Sequence, residues 1–189
     1  MNQFESKSQQ KDFDTGFVRV FNVPVFLKPM QVLGIDPGPK ESAFVHWNGE
    51  MIIGANVVSN EDLRSHLSKN LKGEIIVAVE HLQCMGMAVG ASVFETAYWI
   101  GEFRGLVAFE LGLRFVRVFR GEVKMYFCQS MRAKDANIRQ ALIDRFGSKG
   151  TKRAPGLTYG LKADLWSAFA IAVMVYDKKY ESRTENTLP

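Results

Sequence analysis

Cysteine and histidine are scarce in this sequence. Its two cysteines, Cys84 and Cys128, are far apart and form no Cys-x-x-Cys pair. This excludes a disulfide framework and is typical of proteins from a reducing compartment. The three histidines, His46, His66 and His81, are scattered, so the spacing of histidines and cysteines does not indicate a zinc site.

Long apolar runs are also missing. The most apolar stretch is interrupted by Glu102, Arg104 and Glu110, so a transmembrane helix and a membrane partner are not expected. The first 30 residues lack the basic start, apolar block and small-residue cleavage site of a secretory signal. We therefore expect a cytoplasmic protein.

Apolar and aromatic residues are abundant enough for a folded core. The chain of 189 residues is 47% hydrophobic and contains 14 phenylalanines and 3 tryptophans, which excludes a mainly disordered protein. We expect one domain over residues 16–180, which is long enough to bury its core without staples. A polar mobile arm (1–15) is expected before it and a frayed tail (181–189) after it.

The pattern of apolar residues predicts an α/β fold. Residues 17–26 alternate but contain Pro24, which predicts an added edge strand. Three strands then begin at Gln31, the second and third joined by Asn48-Gly49, a strong hairpin signal. A helix opened by Asn60, two more strands and several helices follow. This order predicts a mixed five-stranded sheet with helices on both faces, as in the ribonuclease-H-like layout, although the order alone leaves other α/β folds open.

Further along, we expect a helix over about 91–111, two shorter helices near 122–128 and 134–146, and a last helix over about 161–180. The last of these contains AFAIAVMV, which is apolar on every side and predicts a buried helix.

Positive charge is concentrated in one segment. Residues 114–153 carry eleven lysines and arginines against three acidic residues, a net charge of +8, whereas the rest of the chain carries 13 basic and 17 acidic residues. This asymmetry favours a polyanionic partner such as nucleic acid. The alternative is a basic surface that is merely solvated.

Three acidic residues lie at the ends of predicted elements. Asp36 ends the first strand, Glu80 ends the fourth, and Asp164 opens the last helix. Neighbouring strands would place the first two side by side, and clustered carboxylates need a compensating cation such as Mg²⁺ or Mn²⁺. Two such ions can activate water and stabilise the leaving oxygen of a phosphodiester. Each acid alone could equally be an ordinary solvated cap or turn residue.

Four motifs in order resemble the RuvC-type Holliday junction resolvases, and most closely their divergent phage members. They are LGIDPG followed by a hairpin, VAVEHLQ followed by a loop and a long helix, VFRGEVKMYF with RAKDANIRQAL, and KADLWSAFAIAV. The resemblance covers about residues 31–176. It implies a ribonuclease-H-like enzyme of DNA recombination and repair that cuts four-way junctions with two Mg²⁺ ions held by Asp36, Glu80 and Asp164. For a phage-encoded chain the compartment is the cytoplasm of the bacterial host.

The resemblance also implies roles outside the acids. Lys124 and Lys134 match the segment of the family's phosphate-facing lysines, and the loop after Glu80, with Gln83, Met85 and Met87, would contact bases near the crossover. Ordinary packing of that loop is the alternative. Cuts on two opposing strands imply a homodimer, for which the helix carrying Gly101 and Gly105 is a candidate interface. The DNA-binding residues expected from the basic segment are Arg120, Arg132, Lys149, Lys152 and Arg153.

One position departs from the family pattern. The second acid of the last motif is replaced by Ser167, so either three carboxylates suffice or another acid such as Asp135 substitutes. This departure leaves open a non-catalytic DNA-binding module, and a nuclease acting on other branched DNA or RNA hybrids also remains. A sugar or acetate kinase, which begins with a similar GIDxG motif, is a further rival, but it is disfavoured because 189 residues are too few for two such domains and no second glycine-rich phosphate motif occurs.

Overall fold

The computed structural model describes residues 30–83, 86 and 88–185. The predicted arm at 1–15, the predicted edge strand at 17–26 and residues 186–189 of the predicted tail lie outside these residues.

A five-stranded mixed sheet forms the centre of the fold. Its strands are β1 (Gln31–Pro37), β2 (Glu41–Trp47), β3 (Ile52–Ser59), β4 (Ile75–His81) and β5 (Arg114–Phe119). They lie in the order β3-β2-β1-β4-β5, in which β1, β2 and β3 are antiparallel neighbours and β1, β4 and β5 are parallel neighbours. The predicted sheet is therefore confirmed, with β1 at its centre.

Helices cover both faces of the sheet, as predicted. They are α1 (Asn60–Asn70), α2 (Ala91–Arg104), α3 (Arg120–Cys128), α4 (Asp135–Phe146) and α5 (Leu165–Glu185). The first two pack on one face around Leu33 and Ile35, whereas the last three pack on the other around Val32 and Trp47. None of the described helices is sufficiently long and apolar to cross a membrane.

Two helix boundaries differ from the sequence prediction. The helix predicted over 91–111 changes at Gly105 into a π-helical segment, Gly105–Glu110, after which the Leu111 amide donates to the Leu106 carbonyl at 2.9 Å. The last helix starts at Leu165 and reaches Glu185, so part of the predicted frayed tail is helical. Its apolar run is buried on every side, as predicted.

A glycine in β1 sets how closely α5 approaches the sheet. A Cβ atom on Gly34 would lie 2.2 Å from the Ala168 carbonyl oxygen and 2.9 Å from the Ala172 Cβ atom. Only glycine fits without moving the helix, so α5 rests directly on the backbone of β1. Because Asp36 follows on the same strand, this contact also fixes the start of α5 relative to that acid.

Candidate active site

Asp36 and Glu80 lie next to each other at one edge of the sheet. They are the penultimate residues of β1 and β4, which are parallel, and the preceding residues Ile35 and Val79 are paired in register. The carboxyl ends of adjacent parallel strands meet at the same edge, which is where ligands bind in open α/β sheets. The predicted juxtaposition of these two strand ends is present.

Asp164 reaches the same edge from the start of α5. It immediately precedes the helix, and its carbonyl oxygen accepts the first helical hydrogen bond from the Ala168 amide at 3.0 Å. Asp164 and Asp36 line one cleft of about 410 Å³. The residue before it, Ala163, has a left-handed φ of 38°, a conformation that is strained for a residue with a Cβ atom.

The three acids interact electrostatically. Burial, followed by the charges of Glu80 and Asp164, raises the pKa of Asp36 from its ordinary value of 3.8 to about 7. Burial also raises the pKa of Glu80, although Arg120 and Lys124 oppose that shift. Carboxyl groups whose pKa values are raised by burial and by each other's charge are typical of a site that binds a cation.

Ser167, at the position of the missing acid, serves the cluster in another way. Its side chain hydrogen-bonds to Asp36, which lowers the pKa of that carboxyl and partly offsets the effect of burial. Ser167 also lines a cleft with Asp164, Arg120 and Asp135. A hydroxyl therefore stabilises the ionised form of Asp36 where a fourth carboxylate would have opposed it.

Arg120 connects the cluster to Asp135. Its guanidinium lies 3.3 Å from a carboxylate oxygen of Glu80 and also contacts the Asp135 carboxylate. The Glu80 and Arg120 side chains are only 19% and 25% exposed. Asp135 thus belongs to the wider cluster but is paired with an arginine in this structure.

The acids suit a divalent cation in their chemistry but not in their present placement. The donors are all oxygen, and an adjacent cation would favour the ionised form of Asp36, both of which fit Mg²⁺ or Mn²⁺. However, among residues 30–83, 86 and 88–185, no three His, Cys, Asp or Glu side chains are gathered closely enough to hold a metal ion. Glu80 is paired with Arg120 instead. The oxygen ligands therefore suit a divalent cation, but in this structure the arginine neutralises the charge of Glu80.

The turn after Asp36 is fixed by a buried asparagine. Asn60, which is fully buried, donates from its amide to the Gly38 carbonyl at 3.0 Å and accepts from the Ser42 hydroxyl at 2.6 Å. Its backbone amide donates to the Lys40 carbonyl at 3.0 Å. The helix begins at Asn60, as predicted, but Ser59 is its N-cap, and Asn60 holds the turn beside the acids.

A second cleft beside the acids holds further predicted residues. It has a volume of about 350 Å³ and contains Asp36, Glu80, Gln83, Arg120 and Lys124. The structure thus places Gln83 and Lys124 beside the acids, as their sequence positions predicted.

Three further residues line these clefts and are not predicted from the sequence. His81 and Met131 line the cleft with Glu80, and Lys40 lines the cleft with Asp36 and Asp164. His81 packs on Phe119 with ring centroids 5.6 Å apart. The position of Lys40, two residues after the turn glycine of GIDPG, was the one available signal.

Other predicted residues lie farther from the acids. Lys134 is exposed and immediately precedes α4, and Arg132 is exposed in the preceding turn. Within the described part of the chain, neither residue forms an ion pair with the acids or lines a cleft with them. A catalytic role for Lys134 stays a prediction. Met85 and Met87 lie outside the described residues.

The basic loop between α4 and α5 is anchored on a tryptophan. The Lys149 ammonium lies 5.3 Å and the Arg139 guanidinium 5.0 Å from the ring centre of the buried Trp166. Beyond Lys149 the loop closes in a tight turn, in which Thr151 and Ala154 exchange backbone hydrogen bonds, and the exposed Lys152 and Arg153 lie between them. Lys149 therefore packs on the core, and the other two residues face solvent.

Comparison with known proteins gives fold relatives. The structure is similar to that of Thermus thermophilus RuvC, with a TM-score of 0.58 and 19% identity over 80% of this chain and 97% of that chain. T. thermophilus RuvC in complex with a Holliday junction substrate gives 0.56 and 17% identity, over 80% and 96% of the two chains. The yeast mitochondrial Holliday junction resolvase Ydc2 gives 0.54 and 12% identity, over 85% and 87%.

No protein-family model and no curated protein sequence matches the chain. The structural likeness, at identities of 12–19%, therefore concerns the fold. The chain has the ribonuclease-H-like fold that RuvC has, as its sequence motifs predicted.

Proposed function

We propose that the chain is a divalent-metal-dependent endonuclease that cuts four-way or otherwise branched DNA. The observation that carries the proposal is that Asp36 lies beside Glu80 at the ends of two paired strands of a ribonuclease-H-like sheet and shares a cleft with Asp164, where burial and then the charges of Glu80 and Asp164 raise its pKa. Perturbed carboxylates in clefts at a sheet edge are typical of catalytic sites.

The three acids would supply the oxygen ligands for Mg²⁺ or Mn²⁺. A divalent ion at such a site lowers the pKa of bound water and stabilises charge on phosphate oxygens. Ser167 would favour the ionised form of Asp36 through its hydrogen bond, against the larger effect of burial, and Lys124, in the same cleft as Glu80, would neutralise charge on a bound phosphate. That two ions bind per site stays a prediction.

Basic residues in the two clefts and in the loop before α5 would contact the DNA backbone. Lys40 lies in the cleft with Asp164, and Lys124 lies in the cleft with Glu80. Lys152 and Arg153 extend the basic surface from the loop before α5. Phosphate contacts of this kind position the nucleic acid without reading its sequence. One of the fold relatives, T. thermophilus RuvC, has been solved with a Holliday junction substrate.

A homodimer is part of the same proposal. The helix α2 buries Ile100 and Phe103 in the core, but Phe94 is 65% exposed and Phe109, in the π-helical segment, is 75% exposed. Phe94 and Tyr98, which is 57% exposed, are four residues apart and so share one face of α2, and neighbouring exposed aromatic side chains are typical of an interaction surface. A second copy with two-fold symmetry would bring a second set of acids to a branched substrate. Sedimentation of the wild type and a Phe94→Asp variant tests this, since only the wild type should dimerise.

The deciding experiment compares cleavage of four-way, flap and linear DNA in Mg²⁺ by the wild type, Asp36→Asn and Glu80→Gln. We expect cuts in branched DNA by the wild type and loss of cutting in both variants, with binding retained. A variant that retains more than about a tenth of the wild-type rate would refute a catalytic role for that acid, because loss of a metal ligand costs much more.

A non-catalytic DNA-binding module is the second candidate. Two observations favour it, namely Ser167 in place of an acid and the pairing of Glu80 with Arg120. Under this alternative the wild type binds branched DNA in Mg²⁺ and in Mn²⁺ but cuts none of the three substrates.

A further inference from the structure

Arg120 occupies an unusual position for a residue expected to bind DNA. It begins α3, yet its side chain turns into the acidic cluster, with one guanidinium nitrogen 3.3 Å from Glu80 and another on Asp135. It lines both the cleft that contains Glu80 and the cleft that contains Asp164. A phosphate-binding arginine would face solvent instead.

The pairing has electrostatic consequences for the whole cluster. The charge of Arg120 lowers the pKa of both Asp36 and Glu80, opposing burial in each case. Because the Glu80 side chain is only 19% exposed, loss of the Arg120 charge at 3.3 Å would leave its carboxylate without its ion-pair partner, which is unfavourable even though Lys124 also lowers its pKa. Arg120 therefore has the effect that a metal ion would have at Glu80.

The geometry points to Arg120 as an internal cation that competes with a divalent ion for Glu80 and is held in place by Asp135. This inference rests on the proposed function, because it treats the acidic cluster as a metal site. In this structure Glu80 is paired with the arginine, and no group of three acidic, histidine or cysteine ligands is gathered among the described residues.

Asp135 is the means of testing this arrangement. Its side chain is 74% exposed, so it contributes a partner for Arg120 at the solvent side of the cluster. If Asp135 holds the arginine on Glu80, removing its charge frees Glu80 and tightens metal binding. If Asp135 is itself a ligand that replaces the missing acid at Ser167, the same substitution weakens metal binding. The two roles of Asp135 therefore predict opposite changes in metal affinity for the Asp135→Asn variant.

The experiment measures Mn²⁺ binding by calorimetry on the DNA-free full chain. The variants are Arg120→Gln, Asp135→Asn and the matched control Arg117→Gln, which removes the same charge from an exposed position on β5. A neighbouring charge shifts a carboxylate equilibrium by about 1–3 pKa units, so we expect Arg120→Gln to bind Mn²⁺ at least about tenfold more tightly than the wild type. Asp135→Asn should change affinity in the same direction by a smaller factor. Arg117→Gln should stay within about twofold, because Arg117 pairs with Val79 and alternation along the strands places its exposed side chain on the opposite face of the sheet from Glu80.

A thermal-melting measurement adds a second readout. In EDTA, Arg120→Gln should melt below the wild type because Glu80 loses its partner, and Mn²⁺ should raise its melting temperature more than that of the wild type. If Arg120→Gln does not fold, Asp135→Asn still tests the inference, because Asp135 is exposed and its substitution should not unfold the protein.

Equal or weaker Mn²⁺ binding by Arg120→Gln, weaker binding by Asp135→Asn, or no binding by any variant would overturn the inference. Junction cleavage by the same preparations is scored separately. Tighter Mn²⁺ binding by Arg120→Gln together with no cleavage by the wild type would support the role of Arg120 and refute the nuclease.

Discussion

Removing the charge of Asp36 should make the metal-free protein more stable at alkaline pH. Its pKa is raised from 3.8 to about 7 by burial and by Glu80 and Asp164, so the folded state prefers the protonated acid. The stabilisation that the protonated carboxyl of Asp36 gives the folded state is fully present below pH 3.8, its ordinary pKa. This stabilisation is lost as the pH rises through about 7 and the carboxyl ionises in the folded state. At 1.36 kcal/mol per pKa unit, the ionised carboxyl costs about 4 kcal/mol at pH 8 and about 1–2 kcal/mol at pH 5.

The uncharged isostere in Asp36→Asn avoids this cost. In EDTA at pH 8 its free energy of unfolding should exceed that of the wild type by about 4 kcal/mol, which at this chain length raises Tm by about 10 °C. The advantage should shrink on acidification. Mg²⁺ at pH 8 should stabilise the wild type but not the variant, because the lost charge is also the lost ligand.

The matched control is Asp177→Asn, the same substitution at an acid with favourable partners. The Asp177 carboxylate accepts from the Tyr126 hydroxyl at 2.6 Å and pairs with Arg145, so its loss should destabilise the protein. Urea unfolding of the three proteins between pH 5 and pH 8 measures both effects. An Asp36→Asn protein that is no more stable than the wild type at pH 8, or whose advantage does not change with pH, would refute the reasoning.

Three further predictions concern the support of the site and its DNA surface. Gly34→Ala places a methyl group 2.2 Å from a backbone oxygen of α5, so it should destabilise the fold by about 1–3 kcal/mol in urea titrations and reduce cleavage; unchanged values would contradict the close packing. Asn60→Ala removes the buried partner of Gly38 and Ser42 and should cost about 1–3 kcal/mol, whereas an exposed control such as Asn70→Ala should cost little. Reversing Lys152 and Arg153 together to glutamate should make the slope of log Kd against log salt shallower by about 2 and weaken linear and branched DNA alike, and an unchanged slope would make this loop a solvated surface.

The architecture and the positions of the acids could be predicted from the sequence because each depends on local pattern. Apolar runs that end in Asp36 and Glu80 identify buried strands and their ends, and parallel pairing of those strands places the acids together. The hairpin between β2 and β3 also depends on a local signal, Asn48-Gly49. Gly49 has a φ of 97°, a conformation that favours glycine.

Features that depend on contacts between distant residues could not be predicted. Arg120 and Glu80 are 40 residues apart, so nothing local indicates their ion pair. Asn60 and Ser59 are both good helix caps by type, and only the buried turn after β1 explains why Ser59 caps the helix while Asn60 holds Gly38. The hydrogen bond from Ser167 to Asp36 likewise needs the close approach of α5 to β1.

The tryptophan beneath the basic loop has a mechanical consequence. Trp166 is two residues from Asp164, and its indole nitrogen donates to the Leu161 carbonyl at 3.1 Å, so its ring is tied to the segment that carries this acid. Lys149 rests on the same ring. If the chain binds DNA as proposed, a strand bound at Lys152 that displaces the loop would shift Lys149 on the Trp166 ring, and with it the backbone that carries Asp164.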